Sequence, residues 1–284
     1  MHRRTQLALT GALVVAATLP LVYLAAVHVA PIHWLDAAIL KGFANLNGPR
    51  VEPIATFLAT LCDPDMFVWF AAALVAIALL RRRPRTAVAV FVVLLGANVT
   101  TQLLKPALAT PRYSSLLEEI GQIAAVSWPS GHATASMAIA LCAILVAPAA
   151  WRPWVGALGA IFAVAVTFSF LTLEWHYPSD VLGGFLVSTA WTLAAVAVLS
   201  WSEQRWPLAR DRARRPSVRE ALAPAAIATA CASLLAGVVL LARPDQVVSY
   251  AQTHTTFVIG AAALAAAALM LAAGVSLLLL RAPR

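Results

Sequence analysis

Eight stretches of this chain are long and apolar enough to cross a lipid bilayer: roughly 7–30, 64–80, 86–104, 131–150, 155–174, 178–201, 220–241 and 256–280. A bilayer's hydrocarbon layer takes about 20 helical residues to span. Within it every backbone N–H and C=O must be bonded inside the protein, which leaves only helices and closed barrels. Continuous apolar runs without two-residue alternation select helices. The chain is therefore predicted to be all-α, a polytopic membrane helix bundle. Its charge content agrees. Only 11% of the 284 residues are charged and 62% are hydrophobic, whereas a soluble domain carries about 25% charged residues. Too few charges remain to cover a water-facing globule, so no separate soluble domain is expected.

The first segment, MHRRTQLALTGALVVAATLPLVYLAAVHVA, opens on two arginines as a secretory signal does. Its apolar part exceeds the about 7–15 residues of a signal's apolar region, so it reads as a retained anchor. Residues 34–62 are less regular. Helical periodicity is broken at Asn47-Gly48-Pro49, which suits an interfacial segment or a short helix pair.

The formal net charge is +8, and the cations are 18 Arg and 2 Lys. They lie in short clusters beside apolar runs. Such clusters set topology and touch anionic lipids, and they argue against nucleic acid as a partner. If the N-terminus is cytoplasmic and each span crosses once, the inner side holds Arg3, Arg4, Arg81, Arg82, Arg83, Arg85, Arg152, Arg205, Arg210, Arg212, Arg214, Arg215, Arg219, Arg281 and Arg284. The outer side holds Lys41, Arg50, Lys105, Arg112 and Arg243. The positive-inside rule favours this arrangement, with both termini cytoplasmic in the cell membrane. Trp34, Trp128 and Trp175 then fall at the outer boundary, and Trp151, Trp154, Trp201 and Trp206 at the inner one, as an aromatic belt.

Three separated segments place ionisable residues at the outer ends of spans, where such residues mark function. In KPALATPRY, Lys105 and Arg112 are two cations that suit a phosphate, one as a point charge and one as a planar fork. Alone they would equally mark the membrane edge. In SWPSGHATAS, Ser130 is placed to cap a helix and Gly131 permits close backbone approach. The helix N-terminus offers N–H groups to an anion, and His132 in its first turn is placed to pass a proton. A capped helix with a headgroup-level histidine reads the same way. In EWHYPSDVLGG, His176 and Asp180 are four residues apart and share a helical face. A carboxylate on one imidazole nitrogen leaves the other as a nucleophile, although an Asp at a helix start also complements the dipole. Cys62, Cys142 and Cys231 are scattered without metal-ligand spacing. Asp63-Pro64-Asp65 reads as a helix cap before Met66 rather than a metal motif.

Taken together, Lys105-x6-Arg112, Pro129-Ser130-Gly131-His132 and His176-x3-Asp180 resemble the type 2 phosphatidate phosphatase superfamily, which includes the bacterial lipid phosphate phosphatases. The resemblance covers about 64–201. It implies a phosphatase-like membrane core over 1–202 with a six-helix character, followed by a basic linker at 203–219 and two additional C-terminal spans within 220–284. It further implies that His176 is the nucleophile of a phosphohistidine mechanism, oriented by Asp180, and that His132 is the acid and then the base. Lys105, Arg112, Ser130 and Gly131 would hold the phosphate oxygens. No metal or cofactor is implied, and the substrate would be a lipid phosphate at the outer membrane face.

The chain departs from the family pattern twice. Pro111 precedes Arg112 instead of following it, and Ser169-Phe170 stands where the family has Ser-Arg. The missing arginine leaves two other readings open: a phosphotransferase using the same intermediate, or a non-catalytic homologue that binds or transports lipid.

Overall fold

A computed structural model describes residues 3–118, 121–206, 217–242 and 244–280. Of the basic linker, residues 207–216 lie outside the described residues, as do Arg243, Arg281 and Arg284. The described residues form eleven α-helices: α1 (Arg3–His28), α2 (Ala30–Ala44), α3 (Glu52–Thr60), α4 (Pro64–Leu80), α5 (Pro84–Ala107), α6 (Gly131–Val146), α7 (Arg152–Thr172), α8 (Pro178–Arg205), α9 (Val218–Ala242), α10 (Pro244–Thr253) and α11 (Thr255–Leu280). A 3-10 turn, Ser115–Leu117, lies between α5 and α6. Proline stands in the first turn of α2, α3, α4, α5, α7 and α8, where its missing N–H costs no intrahelical bond.

The expected all-α membrane architecture is observed. Six helices, α1, α5, α7, α8, α9 and α11, are each long and apolar enough to cross a membrane. The α3–α4 pair passes the same test jointly but bends by 50° at its break. The expected span at 131–150 is the shorter helix α6, which ends at Val146. Its 16 residues rise only about 24 Å. It is also buried along nearly its whole length, packed by α5, α7 and α8. A helix apolar on all sides belongs inside a bundle. The irregular 34–62 segment resolves into α2 and α3, with the Asn-Gly-Pro break between them. Helix α10 was not expected from the sequence.

Helix α1 packs along α8. At one end of this pair Gln204 Nε2 donates to Thr5 Oγ1 at 2.7 Å, and Arg4 lies 3.9 Å from Glu203. The same end holds Arg85, whose Nη1 donates to the Trp206 carbonyl at 2.8 Å. At the other end Tyr23 bonds Thr110 Oγ1 at 2.8 Å, and its ring lies 5.0 Å from that of Trp128. Trp128 is 3% exposed, so it packs inside the bundle and does not join an aromatic belt. Trp34, Trp175, Trp151, Trp154, Trp201 and Trp206 are exposed.

Helix α11 lies against α7 and α2, with Leu264, Ala268, Ala272 and Val275 buried. By contrast, no residue of the most apolar stretch of α9 is buried. Close approach of α8 to the start of α6 depends on Gly184. A Cβ there would come within 2.7 Å of the Ser130 carbonyl oxygen. This contact fixes the start of α6 against the start of α8, where the three motif segments meet.

Candidate active site

Each motif sits at a helix end, and the ends converge. Ser130 is the N-cap of α6, its Oγ accepting from the Ala133 N–H at 3.3 Å. The Ser130 N–H donates to the Asp180 carbonyl at 2.9 Å, which ties the second motif to the third. Helix α7 ends in a turn in which the Glu174 N–H reaches the Leu171 carbonyl and the Trp175 N–H the Phe170 carbonyl, each at 3.0 Å. Glu174 takes the left-handed conformation, φ 63°, that this double-bonded helix stop requires. The turn delivers Trp175 and His176, and Pro178 then opens α8.

His176 is 7% exposed. Its Nδ1 lies 3.3 Å from Asp180 Oδ2, and the same oxygen accepts the Tyr177 N–H at 3.0 Å. The other carboxylate oxygen, Oδ1, accepts from Arg112 Nη2. Asp180 is thus held at both oxygens, and His176 Nε2 has no partner among the described residues. His132 approaches from α6. Its ring lies 5.8 Å from that of Phe170, which in turn lies 5.4 Å from that of His176. The two imidazoles therefore flank one phenyl ring, fully buried, at the position where the sequence lacks the family arginine. The Trp175 ring lies 5.5 Å from that of His132. His132 Nε2 is 2.9 Å from Asp63 Oδ1.

Lys105 is half-buried at the end of α5. Its Nζ lies 3.8 Å from where a Cβ on Gly131 would stand, and it forms no hydrogen bond or ion pair among the described residues. It is a cation beside an N-terminal helix turn, with its charge unpaired.

Arg112 is placed differently from what the sequence suggested. Its side chain is 4% exposed and its terminal nitrogens are engaged by protein. Nη1 donates to Ser179 Oγ at 2.9 Å and to Asp36 Oδ2 at 3.3 Å; Nη2 donates to Ser127 Oγ at 3.0 Å and to Asp180. The guanidinium carbon lies 4.1 Å above the Tyr177 ring, and the Tyr177 hydroxyl donates to the Arg112 carbonyl at 2.8 Å. Burial pushes the Tyr177 phenol up to about 12, so it remains a neutral donor. The guanidinium is thus held between the Asp36 and Asp180 carboxyl groups.

Sequence reasoning missed three residues of this cluster. Asp36, on α2, accepts from the Ser179 N–H at 2.8 Å and from its hydroxyl. Ser179 and Ser127 bond the guanidinium. Asp36 is a lone acid in an apolar helix, which was the available signal. Asp63 stands at the N-cap position of α4, but its side chain makes no cap bond; the expected capping role is replaced by the bond to His132.

Burial raises the Asp36 carboxyl to about 6, against the opposing pull of Arg112. A folded-state value above the unfolded value near 3.9 means that the neutral form favours folding. That contribution is complete below about pH 4 and is lost as pH rises through about 6. It amounts to roughly 3 kcal/mol at most. Asp36→Asn, which is neutral at every pH, is therefore expected to gain on the wild type as pH rises. Melting curves in detergent at pH 5 and pH 8 measure this, and an unchanged gap between the two proteins would contradict the assignment.

Residues 86–204 match the family model described as the PAP2 superfamily. The fold is similar to the crystal structure of the first transmembrane PAP2 type phosphatidylglycerolphosphate phosphatase from Bacillus subtilis, with a TM-score of 0.55 and 19% sequence identity over 70% of this chain and 99% of that one. No curated protein matches. The family match lies within residues 86–204, the neighbour shares the fold, and the apolar helices mark a multi-pass membrane protein.

Proposed function

We propose that this protein is a membrane lipid phosphatase that removes phosphate from a lipid phosphomonoester or diphosphate through a phosphohistidine. One observation carries the reading: a carboxylate-held imidazole, His176, shares the Phe170 ring with a second imidazole, His132, beside the unpaired Lys105 cation. His176 Nε2 attacks phosphorus as the P–O bond to the lipid breaks. His132 protonates the departing oxygen. Water then attacks phosphorus with His132 taking its proton, and the P–N bond breaks to release phosphate and free His176. Asp180 stabilises the charge that develops on His176. Lys105, the Ser130 hydroxyl and the Gly131 N–H face the phosphoryl oxygens, a preorganised electrostatic setting. Arg112 acts through Asp180.

Sites at helix ends suit a substrate whose phosphate lies at the interface while its tails remain in lipid. The positive-inside pattern favours an extracytoplasmic site: Arg3, Arg4, Arg81, Arg82, Arg83, Arg85 and Arg152 belong to the opposite ends of the spans.

The test is phosphate release by purified protein over a panel of lipid phosphates: phosphatidate, phosphatidylglycerol phosphate, a polyprenyl diphosphate and a polyprenyl-sugar phosphate. Free phosphate is expected. A phosphorylated acceptor without free phosphate would favour a phosphotransferase, and no turnover of any substrate would favour a lipid-binding role. Activity is expected to persist in chelator and to be blocked by vanadate, which mimics five-coordinate phosphorus. Loss of activity in chelator, restored by a divalent metal, would contradict the mechanism.

A further inference from the structure

His132 handles both proton transfers in this reading, yet the residue that holds its ring lies outside the family-matched segment. Asp63 sits in the short link between α3 and α4, and its Oδ1 is 2.9 Å from His132 Nε2. An aspartate immediately before a helix ordinarily bonds that helix's first free N–H groups. Asp63 has the cap position and an extended backbone, φ −62° and ψ 153°, but makes no side-chain cap bond. Its carboxylate is turned to the histidine. The charged and titratable groups that face His132 are Asp63, Lys105 and His176. Two of these oppose a proton on the ring, and Asp63 is the one carboxylate among them. The aromatic rings of Phe170 and Trp175 restrict where the imidazole can turn. With Nε2 on Asp63, Nδ1 is the nitrogen that has no partner among the described residues.

We propose that Asp63 is a positioning residue that sets the protonation and ring orientation of His132, so that Nε2–H points to the carboxylate and Nδ1 serves the leaving oxygen. The inference rests on the phosphatase reading for its chemistry. Nδ1–H gives its proton to the oxygen as the P–O bond breaks, leaving a neutral ring whose Nε2–H remains on Asp63. Nδ1 then receives a proton from the attacking water. The N-terminal part of the chain thus supplies the second carboxylate of the site: His176 is held by Asp180 and His132 by Asp63.

The experiment compares wild type, Asp63→Asn and Asp63→Glu on phosphatidate, a monoester with an alkyl leaving oxygen, and on p-nitrophenyl phosphate, with full pH–rate profiles. Asp63→Asn should lower kcat/KM on the lipid, which reports the transfer to His176, by about 100-fold, the lower end for loss of general acid catalysis. The loss should be several times smaller on the aryl phosphate, whose leaving oxygen scarcely needs a proton. The alkaline limb of kcat/KM should move down by about one pH unit, and Asp63→Glu should restore it. Equal losses on both substrates with the limb unmoved would overturn the proposal and leave Asp63 a structural residue. Histidine NMR provides a reading independent of turnover. The midpoint of the His132 ring should fall by about one unit in Asp63→Asn, and an unchanged midpoint would overturn the proposal even in an active enzyme. If the midpoint moves but the wild type releases no phosphate from either substrate, the pairing stands and the phosphatase reading fails.

Discussion

His176→Ala is expected to reduce phosphate release by about 10,000-fold or more, with little change in melting temperature. The expectation follows from what the ring does and does not touch. Its Nδ1 is tied to Asp180, its Nε2 has no protein partner among the described residues, and its ring edge rests on Phe170. Removing it takes away the atom proposed to attack phosphorus while leaving Asp180 held by Arg112 and the Tyr177 N–H. Asp180→Asn should also be strongly impaired, because an amide cannot stabilise the cationic imidazole that forms during transfer. Phosphate-release assays on matched, folded preparations decide the matter. A His176→Ala protein with more than a small residue of wild-type turnover would show that another group is the nucleophile.

The second large effect concerns Arg112. Its guanidinium stands between two buried carboxylates, Asp36 and Asp180. Arg112→Ala would leave both acids facing each other without a cation. Breaking a buried pair in this way costs about 3–5 kcal/mol. The variant should therefore be less stable in detergent and should lose turnover through kcat, because Asp180 no longer orients His176. Adding Asp36→Asn to Arg112→Ala removes the surplus acid. The double variant should regain part of the stability and little of the activity, and a double-mutant cycle reads the coupling between the two sites. A stable Arg112→Ala protein with raised KM and intact kcat would instead identify Arg112 as a phosphate ligand, the role its spacing from Lys105 suggested.

That contrast shows what the sequence could and could not convey. The spans were legible because each is a long apolar run, and the start of α4 carried its own signal in Asp63-Pro64. The motif residues were legible because each segment couples a helix end to a charged side chain, and the helix ends do converge. Partners drawn from distant segments were not. Asp36 meets Arg112 across 76 positions and Asp63 meets His132 across 69, and nothing local to either aspartate announces its partner. The immediate context of Asp63, just before Pro64 and a helix, is that of a cap. Trp128 was assigned to the membrane boundary by its place in the chain, whereas packing against Tyr23 buries it. The apolar run continues past Val146 into Ala147-Pro148 and so predicts a longer α6 than the helix that stops there.

Phe170 alters the electrostatics that the motif alone would imply. With a phenyl ring where the family pattern carries arginine, and with Arg112 committed to two carboxylates, Lys105 is the cation left facing the α6 N-terminus. In the proposed reaction, much of the oxyanion stabilisation would fall to that cation and to helix-end N–H groups. The two imidazoles remain in contact with one ring.

The most direct measurement is the site of phosphorylation in His132→Ala. Given an aryl phosphate, whose departure needs no proton, this variant should form the intermediate and then fail to activate water. Mass spectrometry after rapid quenching at alkaline pH, where phosphohistidine survives, should find phosphate on His176. Phosphate on any other residue, or turnover that proceeds with no phosphoenzyme in either His132→Ala or the wild type, would contradict the account.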